Sequence, residues 1–221
     1  MDFSAIRGVI WDLDNTLYRF DTVFEEACNR AAAKTICDMV DGLTFDEAFA
    51  AAEESYNTHG YSGKALIARY NLAYTDYHFP FHESIDETIL QKNDAMLHAL
   101  ESLGRPQVIV TNASRHWAEK VLAHLNMKQF FPDTHIIPLE DSEFEAKAHS
   151  ARPFVMAQDI LGCPPQNILV VEDTVKNLSV PKSMGFHTAL IHHGRAPTQP
   201  HDFIDAEFPD TLELLKNLNG Y

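Results

Sequence analysis

Basic residues are scarce in this chain, which carries 17 Lys and Arg against 32 Asp and Glu and so a formal net charge of -15. Such a chain repels polyanions, which argues against a nucleic-acid polymer or an anionic membrane as a partner. Its three cysteines are too few and too scattered for a disulfide framework or a zinc site. Apolar runs long enough to cross a bilayer are also lacking, and the first strand-like run begins too early to leave room for a signal peptide. We therefore expect a cytoplasmic protein.

The twelve histidines are dispersed, and none of them has the HExxH spacing of a zinc protease. Hydrophobic residues make up 45% of the 221 positions, which is ordinary for a globular protein. A chain of this length can form one large domain, or one core domain with an insertion. A small phosphorylated metabolite remains open as a partner despite the negative charge, because one metal ion and one lysine can reverse the sign locally.

Short apolar runs alternate with helical patterns through most of the chain. Val108–Val110 and Ile168–Val171 are clear strands, and the alternation is typical of a parallel sheet with helices on both faces. Between residues 17 and 85 the pattern is helical throughout, which interrupts the alternation directly after the first strand. We therefore predict an α/β fold. Its Rossmann-like, doubly wound core would comprise residues 1–16 and 86–221, with residues 17–85 as an inserted helical domain.

Start and stop signals divide the helical segment further. A capping box pairs an N-cap Ser or Thr with a Glu three residues later, and it occurs at Thr22 with Glu25 and at Thr44 with Glu47. We therefore predict that helices begin at these two threonines. We also expect a third helix, from about residue 63, to be broken at Pro80, because an interior proline removes a backbone hydrogen bond.

The chemically distinctive residues follow apolar strands. They are Asp12 and Asp14 after the first strand, Thr111 and Asn112 after a second, and Glu172 and Asp173 after a third. In an open α/β sheet the site lies beyond the carboxyl ends of the strands, so we expect these residues at one place. Alternate residues of a strand share a face, which would aim the Asp12 and Asp14 side chains into the same pocket. A solvated acidic turn would explain any one of these strand ends, but not all three.

Four converging carboxylates, those of Asp12, Asp14, Glu172 and Asp173, repel one another unless a cation or a shared proton intervenes. Such an all-oxygen set suits Mg²⁺. One carboxylate can be a nucleophile that forms an aspartyl-phosphate, while a second protonates the leaving oxygen and later activates water. A threonine hydroxyl and a lysine can hold the charged phosphoryl oxygens. The constellation therefore predicts a metal and phosphoryl-transfer site.

This arrangement resembles the haloacid dehalogenase-like (HAD) phosphatase superfamily over nearly the whole chain. The family's first motif is met by Asp12-Leu13-Asp14-Asn15-Thr16, its second by Val110-Thr111-Asn112 and its fourth by Val171-Glu172-Asp173. The resemblance implies that Asp12 is the nucleophile and Asp14 the acid and base. It also implies that Asp12, the Asp14 carbonyl and Asp173 bind Mg²⁺, and that residues 17–85 form a C1-type cap that closes over the site.

The resemblance further implies supporting roles around that centre. Phosphate would be bound by Thr111, Asn112 and Lys147, and the ligands would be supported by Thr16, Glu172 and Asn177. The family's third motif is usually Lys-Pro-x-Pro at the start of a helix. Here the matching stretch is Lys147-Ala148-His149-Ser150, with the helix expected only near Pro153. Lys147 is the best candidate for the motif's lysine, ahead of Lys176 and Arg152.

The presence of Asp14 favours phosphoryl transfer over dehalogenation, because a dehalogenase that cleaves a carbon–halogen bond has no leaving-group oxygen to protonate. Asn15 and Tyr18 make the first motif similar to that of the pyrimidine 5′-nucleotidase branch, which implies hydrolysis of UMP or CMP. Base- or ribose-facing groups of the cap would then come from Asn57, His59, Lys64 and Arg69. These four residues could equally form a solvated helix face.

Two alternatives stay open on the sequence. A phosphosugar or phosphoglycolate phosphatase, or a phosphomutase, would use the same core chemistry on another substrate. From a different class, the chain could be a dormant regulatory binding module, although intact Asp12, Asp14, Thr111 and Asp173 argue against that. Any enzymatic function implies a small phosphorylated metabolite as the partner, and the sequence leaves both a monomer and a homodimer open.

Overall fold

The sheet is parallel throughout. The computed structural model describes residues 2–59, 61–195 and 197–220. Within them, six strands lie in the order β3-β2-β1-β4-β5-β6. The strands are β1 (Gly8–Trp11), β2 (Gln107–Val110), β3 (Ile136–Ile137), β4 (Ile168–Glu172), β5 (His187–Ile191) and β6 (Ala206–Phe208). The predicted doubly wound α/β fold is confirmed, although the sequence pattern did not indicate the short edge strand β6.

The α-helices form two groups along the chain. Those between β1 and residue 85 are α1 (Thr22–Met39), α2 (Phe45–His59), α3 (Lys64–Tyr70) and α4 (Tyr74–Ser84). Those that alternate with the strands are α5 (Asp94–Glu101), α6 (Arg115–His124), α7 (Arg152–Leu161), α8 (Ser179–Ser183) and α9 (Thr211–Asn219). No helix among the described residues is both long and apolar enough to cross a membrane.

The chain forms two compact units. One comprises Met1–Arg19 and Lys92–Tyr221 and contains the sheet, and the other comprises Phe20–Gln91 and is helical. The unit boundaries therefore fall after residues 19 and 91, where the sequence placed them after residues 16 and 85. We refer to these parts as the sheet unit and the helical unit.

The core of the sheet unit explains why its strands are visible in the sequence. Every residue of β1, β2 and β4 is buried. On one face, Ile10 of β1 is aligned with Val108 of β2 and Val170 of β4, and these three share a core with Phe154 and Leu161 of α7. Because parallel strands are covered on both faces, they are apolar at every position and do not alternate with polar residues.

Local signals in the helical unit are followed in one place and overridden in others. The Thr44 capping box is confirmed, because the Thr44 N–H donates to Glu47 Oε2 at 3.1 Å. Helix α1 instead takes Asp21 as its N-cap, whose side chain accepts from the Phe24 N–H at 2.9 Å, so the box predicted at Thr22 is wrong. The break predicted at Pro80 is also wrong, since Pro80 lies inside α4. The carbonyl that Pro80 leaves without a helical donor is that of Asp76, an exposed residue, so water can satisfy it.

Candidate active site

Three neighbouring strands end at the same level. Trp11, the last residue of β1, is aligned with Ile109 of β2 and with Val171 of β4. The Asp12 N–H continues this pairing and donates to the Val171 carbonyl at 2.9 Å. The polar residues that follow the three strands therefore lie at one edge of the sheet.

The chain turns sharply after Asp12. Asn15 has a φ of 60°, a left-handed conformation that asparagine adopts more readily than most residues. The Leu17 N–H donates to the Leu13 carbonyl at 3.0 Å, so the turn is helical in form. It places the Thr16 hydroxyl 2.8 Å from Asp12 Oδ2, to which it donates. One oxygen of the expected nucleophile is thereby fixed by its own turn.

Lys147 lies in the centre of this edge and is only 3% exposed. Its Nζ contacts Asp12 Oδ1, and it also lies 2.7 Å from Glu172 Oε1 and 3.1 Å from the Val110 carbonyl. The Lys147 N–H donates to Asn112 Oδ1 at 3.1 Å, which ties the lysine loop to the end of β2. Lysine therefore reaches the site even though α7 begins only at Arg152.

The two competing basic residues lie elsewhere. Arg152 forms an ion pair with Glu143 at 2.5 Å, with the arginine side chain 49% exposed. Lys176 is exposed in the segment that follows β4. Of the three candidates, Lys147 is the one that contacts the Asp12 carboxylate.

Three carboxylates surround the lysine. Asp12, Glu172 and Asp173 each offer an oxygen, and these atoms all lie within 4.8 Å of one another. Glu172 is also held by its own loop, because it accepts from the Thr174 N–H at 2.6 Å and from Asn177 Nδ2 at 2.7 Å. Asp173 accepts one hydrogen bond on each oxygen, from Asn15 Nδ2 at 2.7 Å and from the Thr174 hydroxyl at 3.1 Å.

The charge of this cluster does not balance. Burial, together with the Glu172 charge, raises the pKa of Asp12 to about 7, and burial raises that of Asp173 well above its usual value. Burial works against the Lys147 ammonium, but Asp12 and Glu172 outweigh it and the net direction of the lysine pKa is upward. Three carboxylates therefore share one ammonium, and the excess negative charge favours a proton or a cation. A set of carboxylate oxygens fits a hard ion such as Mg²⁺.

Asp14 does not join this cluster, which corrects the expectation that four carboxylates converge. Its Oδ1 accepts from the Tyr18 hydroxyl and from Trp117 Nε1, the latter at 2.8 Å. Its Oδ2 lies 3.5 Å from Thr111 Oγ1. Burial raises the pKa of Asp14 as well. Strand alternation does not govern Asp14, because β1 ends at Trp11 and Asp14 lies in the turn that follows.

Several neighbours of the motifs were not indicated by the sequence. Trp117 reaches Asp14 from the first turn of α6, where Ser114 is the N-cap. His193 lies with Nε2 2.6 Å from the Asn15 carbonyl, and the Thr211 hydroxyl donates to the Thr16 carbonyl at 2.5 Å. His193 follows β5, the strand next to β4, and Thr211 is the first residue of α9, after the edge strand β6. The available signal was this position in the strand order rather than any local motif.

Of the four residues expected to face the substrate, two line a cavity in the helical unit and two do not. His59 and Arg69 line a cavity of about 200 Å³ between α2 and α3, together with Glu54, Ser55 and Thr58. Asn57 and Lys64 are exposed and do not line this cavity. Tyr77 of α4 is fully buried and stacks on Phe81.

Comparison with known proteins places this geometry in a family. The sequence model of the haloacid dehalogenase-like hydrolases matches residues 6–185. The chain belongs to the haloacid dehalogenase-like hydrolase family. The expected resemblance is thus confirmed at the level of the superfamily.

Individual relatives of this HAD hydrolase differ in their reactions. Phosphoglycolate phosphatase of Aquifex aeolicus (strain VF5) is 29% identical over 123 residues, which are 55% of this chain and 56% of that protein. CbbY from Rhodobacter sphaeroides, solved in complex with phosphate, gives a TM-score of 0.69 at 20% identity, over 97% of this chain and 99% of that one. The L-2-haloacid dehalogenase RSc1362 gives a TM-score of 0.63 at 19% identity, over 96% of this chain and 98% of that one. The fold therefore serves more than one reaction and does not choose between them.

The unbalanced cluster predicts a pH dependence of stability. The Asp12 pKa is 3.8 in the unfolded chain and about 7 in the folded protein, so the folded state binds more protons between these values. The free energy of unfolding of metal-free protein should therefore fall as the pH rises through that window. Mg²⁺ should flatten the decline, and Asp12→Asn should reduce it. Urea unfolding in EDTA and in Mg²⁺ measures both effects, and a flat or rising profile in EDTA contradicts the assignment. Asp205, whose pKa is lowered, has the opposite effect on stability, but it titrates below the pH window in which Asp12 does.

Proposed function

We propose that this HAD hydrolase is a Mg²⁺-dependent phosphomonoesterase that acts through an aspartyl-phosphate on Asp12. The observation that carries the proposal is the separation of the two motif aspartates. Asp12 contacts Lys147 and Thr16, whereas Asp14 is held apart by Tyr18 and Trp117. One carboxylate can thus attack while the other transfers a proton.

The proposed reaction has two steps. An Asp12 oxygen attacks phosphorus, the bond from phosphorus to the leaving oxygen breaks, and Asp14 gives its proton to that oxygen. Water then attacks the aspartyl-phosphate, Asp14 takes a proton from the water, and inorganic phosphate leaves with Asp12 restored. Lys147, Thr111 and Asn112 would bind the phosphoryl oxygens. Mg²⁺, held by Asp12, the Asp14 carbonyl and Asp173, would supply positive charge for the phosphoryl group.

The arrangement of Asp14 supports a phosphatase over a dehalogenase. A halide needs no proton on leaving, so an acid beside the nucleophile would have no task in carbon–halogen cleavage. Here Asp14 is half-buried, and desolvation raises its pKa toward the protonated form that an acid requires, outweighing the opposite effect of its two hydrogen-bond donors. A dormant binding module would likewise have no need of this arrangement.

For the substrate, we propose a pyrimidine nucleoside 5′-monophosphate, UMP or CMP. The support is the Asn15 and Tyr18 form of the first motif together with the cavity of the helical unit, in which His59 and Arg69 offer hydrogen-bonding groups. The second candidate is phosphoglycolate, which the Aquifex relative favours. Phosphosugar hydrolysis and phosphomutase activity would use the same sheet unit.

A panel of phosphomonoesters separates these candidates. With Mg²⁺ present, we expect the highest kcat/KM on UMP or CMP, compared with phosphoglycolate and glucose phosphates. Arg69→Ala should lower kcat/KM on the nucleotide about tenfold or more while leaving p-nitrophenyl phosphate unchanged, because a lost contact of this kind costs about 1–3 kcal/mol. Lys64→Ala is the matched control, since Lys64 is exposed outside the cavity. If the protein prefers a sugar phosphate or phosphoglycolate, the proposed nucleotide substrate is wrong. If it turns over no ester at all, the proposed phosphatase activity is wrong.

A further inference from the structure

We infer that Tyr18 and Trp117 are positioning residues that hold Asp14 by its Oδ1 and leave Oδ2 as the atom that carries the transferred proton. The inference rests on the proposed phosphatase function and assigns tasks to two residues outside the site predicted from the sequence. It follows from how three side chains of the sheet unit meet.

The two residues reach Asp14 by independent routes. Tyr18 follows Asp14 by four residues, and the helical turn between Leu13 and Leu17 brings its hydroxyl onto Asp14 Oδ1. Trp117 comes from the first turn of α6, where its Nε1 lies 2.8 Å from the same oxygen and 3.2 Å from the Tyr18 hydroxyl oxygen. The tyrosine and tryptophan are 8% and 1% exposed, so both hydrogen bonds are screened from water.

The direction of these hydrogen bonds determines where the Asp14 proton lies. An indole N–H can only donate, and it points between Asp14 Oδ1 and the Tyr18 oxygen. The Tyr18 hydroxyl, which accepts from the indole, keeps its own proton to donate to Oδ1. Because Oδ1 already accepts two hydrogen bonds, the proton of the acid form belongs on Oδ2. That oxygen accepts from the Thr111 hydroxyl at 3.5 Å, a longer contact than the hydrogen bonds to Oδ1, and lies on the side where the phosphate is proposed to bind.

The same atoms account for proton transfer in both directions. In the first step, the Oδ2–H bond breaks and its proton goes to the oxygen that leaves phosphorus. In the second step, Oδ2 takes a proton from the attacking water and returns to the acid form. Throughout, Tyr18 and Trp117 keep their own protons and fix the plane of the carboxyl group.

Leaving-group dependence tests this assignment. An alkyl phosphate needs a proton on its leaving oxygen, whereas p-nitrophenolate leaves without one. Tyr18→Phe and Trp117→Phe each remove one hydrogen-bond donor and keep an aromatic ring. Each should lower kcat/KM on an alkyl phosphate about tenfold, which is less than the full effect of losing a general acid. On p-nitrophenyl phosphate the change should be less than about twofold. The parameter kcat/KM reports steps up to release of the alcohol and excludes hydrolysis of the aspartyl-phosphate.

Matched variants complete the test. Trp11→Phe is the control, because Trp11 is the chain's other tryptophan and also donates a buried indole hydrogen bond, at 2.9 Å to Gln107 Oε1. It should leave the ratio of the two substrates unchanged. We expect the ratio of kcat/KM on the alkyl phosphate to kcat/KM on p-nitrophenyl phosphate to be similar in two proteins, the double variant Tyr18→Phe with Trp117→Phe and the variant Asp14→Asn. All three changes act on one proton transfer.

The outcomes separate this inference from the proposed function. Equal losses on both substrates in the Tyr18 and Trp117 variants overturn the inference and assign these residues to packing. Unchanged kcat/KM on the alkyl phosphate overturns it too. Turnover of p-nitrophenyl phosphate shows that a variant is folded and keeps its nucleophile. Failure of the proposed function is recognised separately, because the wild-type protein would then hydrolyse neither ester.

Discussion

Asp12→Asn should reduce phosphatase turnover by at least about 10⁴-fold, because an amide oxygen cannot form the aspartyl-phosphate on which both steps depend. The fold should survive this change. Asn keeps an oxygen to accept from Thr16, and Lys147 keeps its contact with Glu172. Removal of one of three crowded carboxylates also lowers the repulsion within the site, so the Tm of the metal-free variant should equal or exceed that of the wild type. Turnover of p-nitrophenyl phosphate and thermal unfolding measure the two expectations.

A covalent readout makes the role of Asp12 specific. Acid-quenched wild-type protein, mixed with substrate and Mg²⁺, should carry one phosphoryl group on the peptide that contains Asp12. Asp14→Asn is the matched control, because it removes an aspartate from the same turn and should leave this phosphopeptide detectable with an activated aryl phosphate. Residual turnover of Asp12→Asn above about one hundredth of wild type, or a phosphopeptide without Asp12, would falsify the nucleophile assignment.

The parts of the fold that could be predicted are those set by burial. Strands such as Val108–Val110 and Ile168–Val171 are apolar at each position because helices cover both sheet faces, and their polar successors show where the strands end. The strand-end rule then gathers Asp12, Thr111 and Asp173 at one edge without any knowledge of the strand order. The prediction succeeded because burial acts on each segment separately.

The parts that could not be predicted depend on contacts between distant segments. Trp117 reads as an apolar residue of an amphipathic helix, and its contact with Asp14 exists only because α6 begins beside the β1 turn. The same limit explains the helix starts. Asp21 and Thr22 are both good N-caps, and the choice of Asp21 rests on a difference too small for a local pattern to resolve. Lys147 was assigned by resemblance alone. Four residues lie between it and α7, and no helical or strand periodicity in them predicts where its side chain points.

Lys147 links the stability of the sheet unit to its chemistry. Its ammonium contacts Asp12 and Glu172, and it lies 3.1 Å from the Val110 carbonyl, so it joins the ends of β1, β2 and β4. Opposite charges at this depth are costly to desolvate, and removal of one partner leaves the others uncompensated. The residue that we propose to neutralise the phosphoryl group therefore also holds together the edge of the sheet at which that group is proposed to bind.

Lys147→Met should consequently lower both stability and activity. Met has a similar length but no charge, so Asp12, Glu172 and Asp173 would lose the ammonium they share, and the metal-free protein should lose about 3–5 kcal/mol of unfolding free energy at neutral pH. The loss should shrink as the pH falls, because protonation then removes the repulsion, and Mg²⁺ should reduce it for the same reason. Turnover should stay low even in saturating Mg²⁺, since no ammonium remains beside the phosphoryl group. Denaturant unfolding across pH, with turnover at each Mg²⁺ concentration, measures these effects.

Lys176→Met, which removes an exposed lysine near the same strand end, is the control and should change neither stability nor turnover. A Lys147→Met protein as stable as this control at neutral pH would show that the carboxylates are balanced without the lysine.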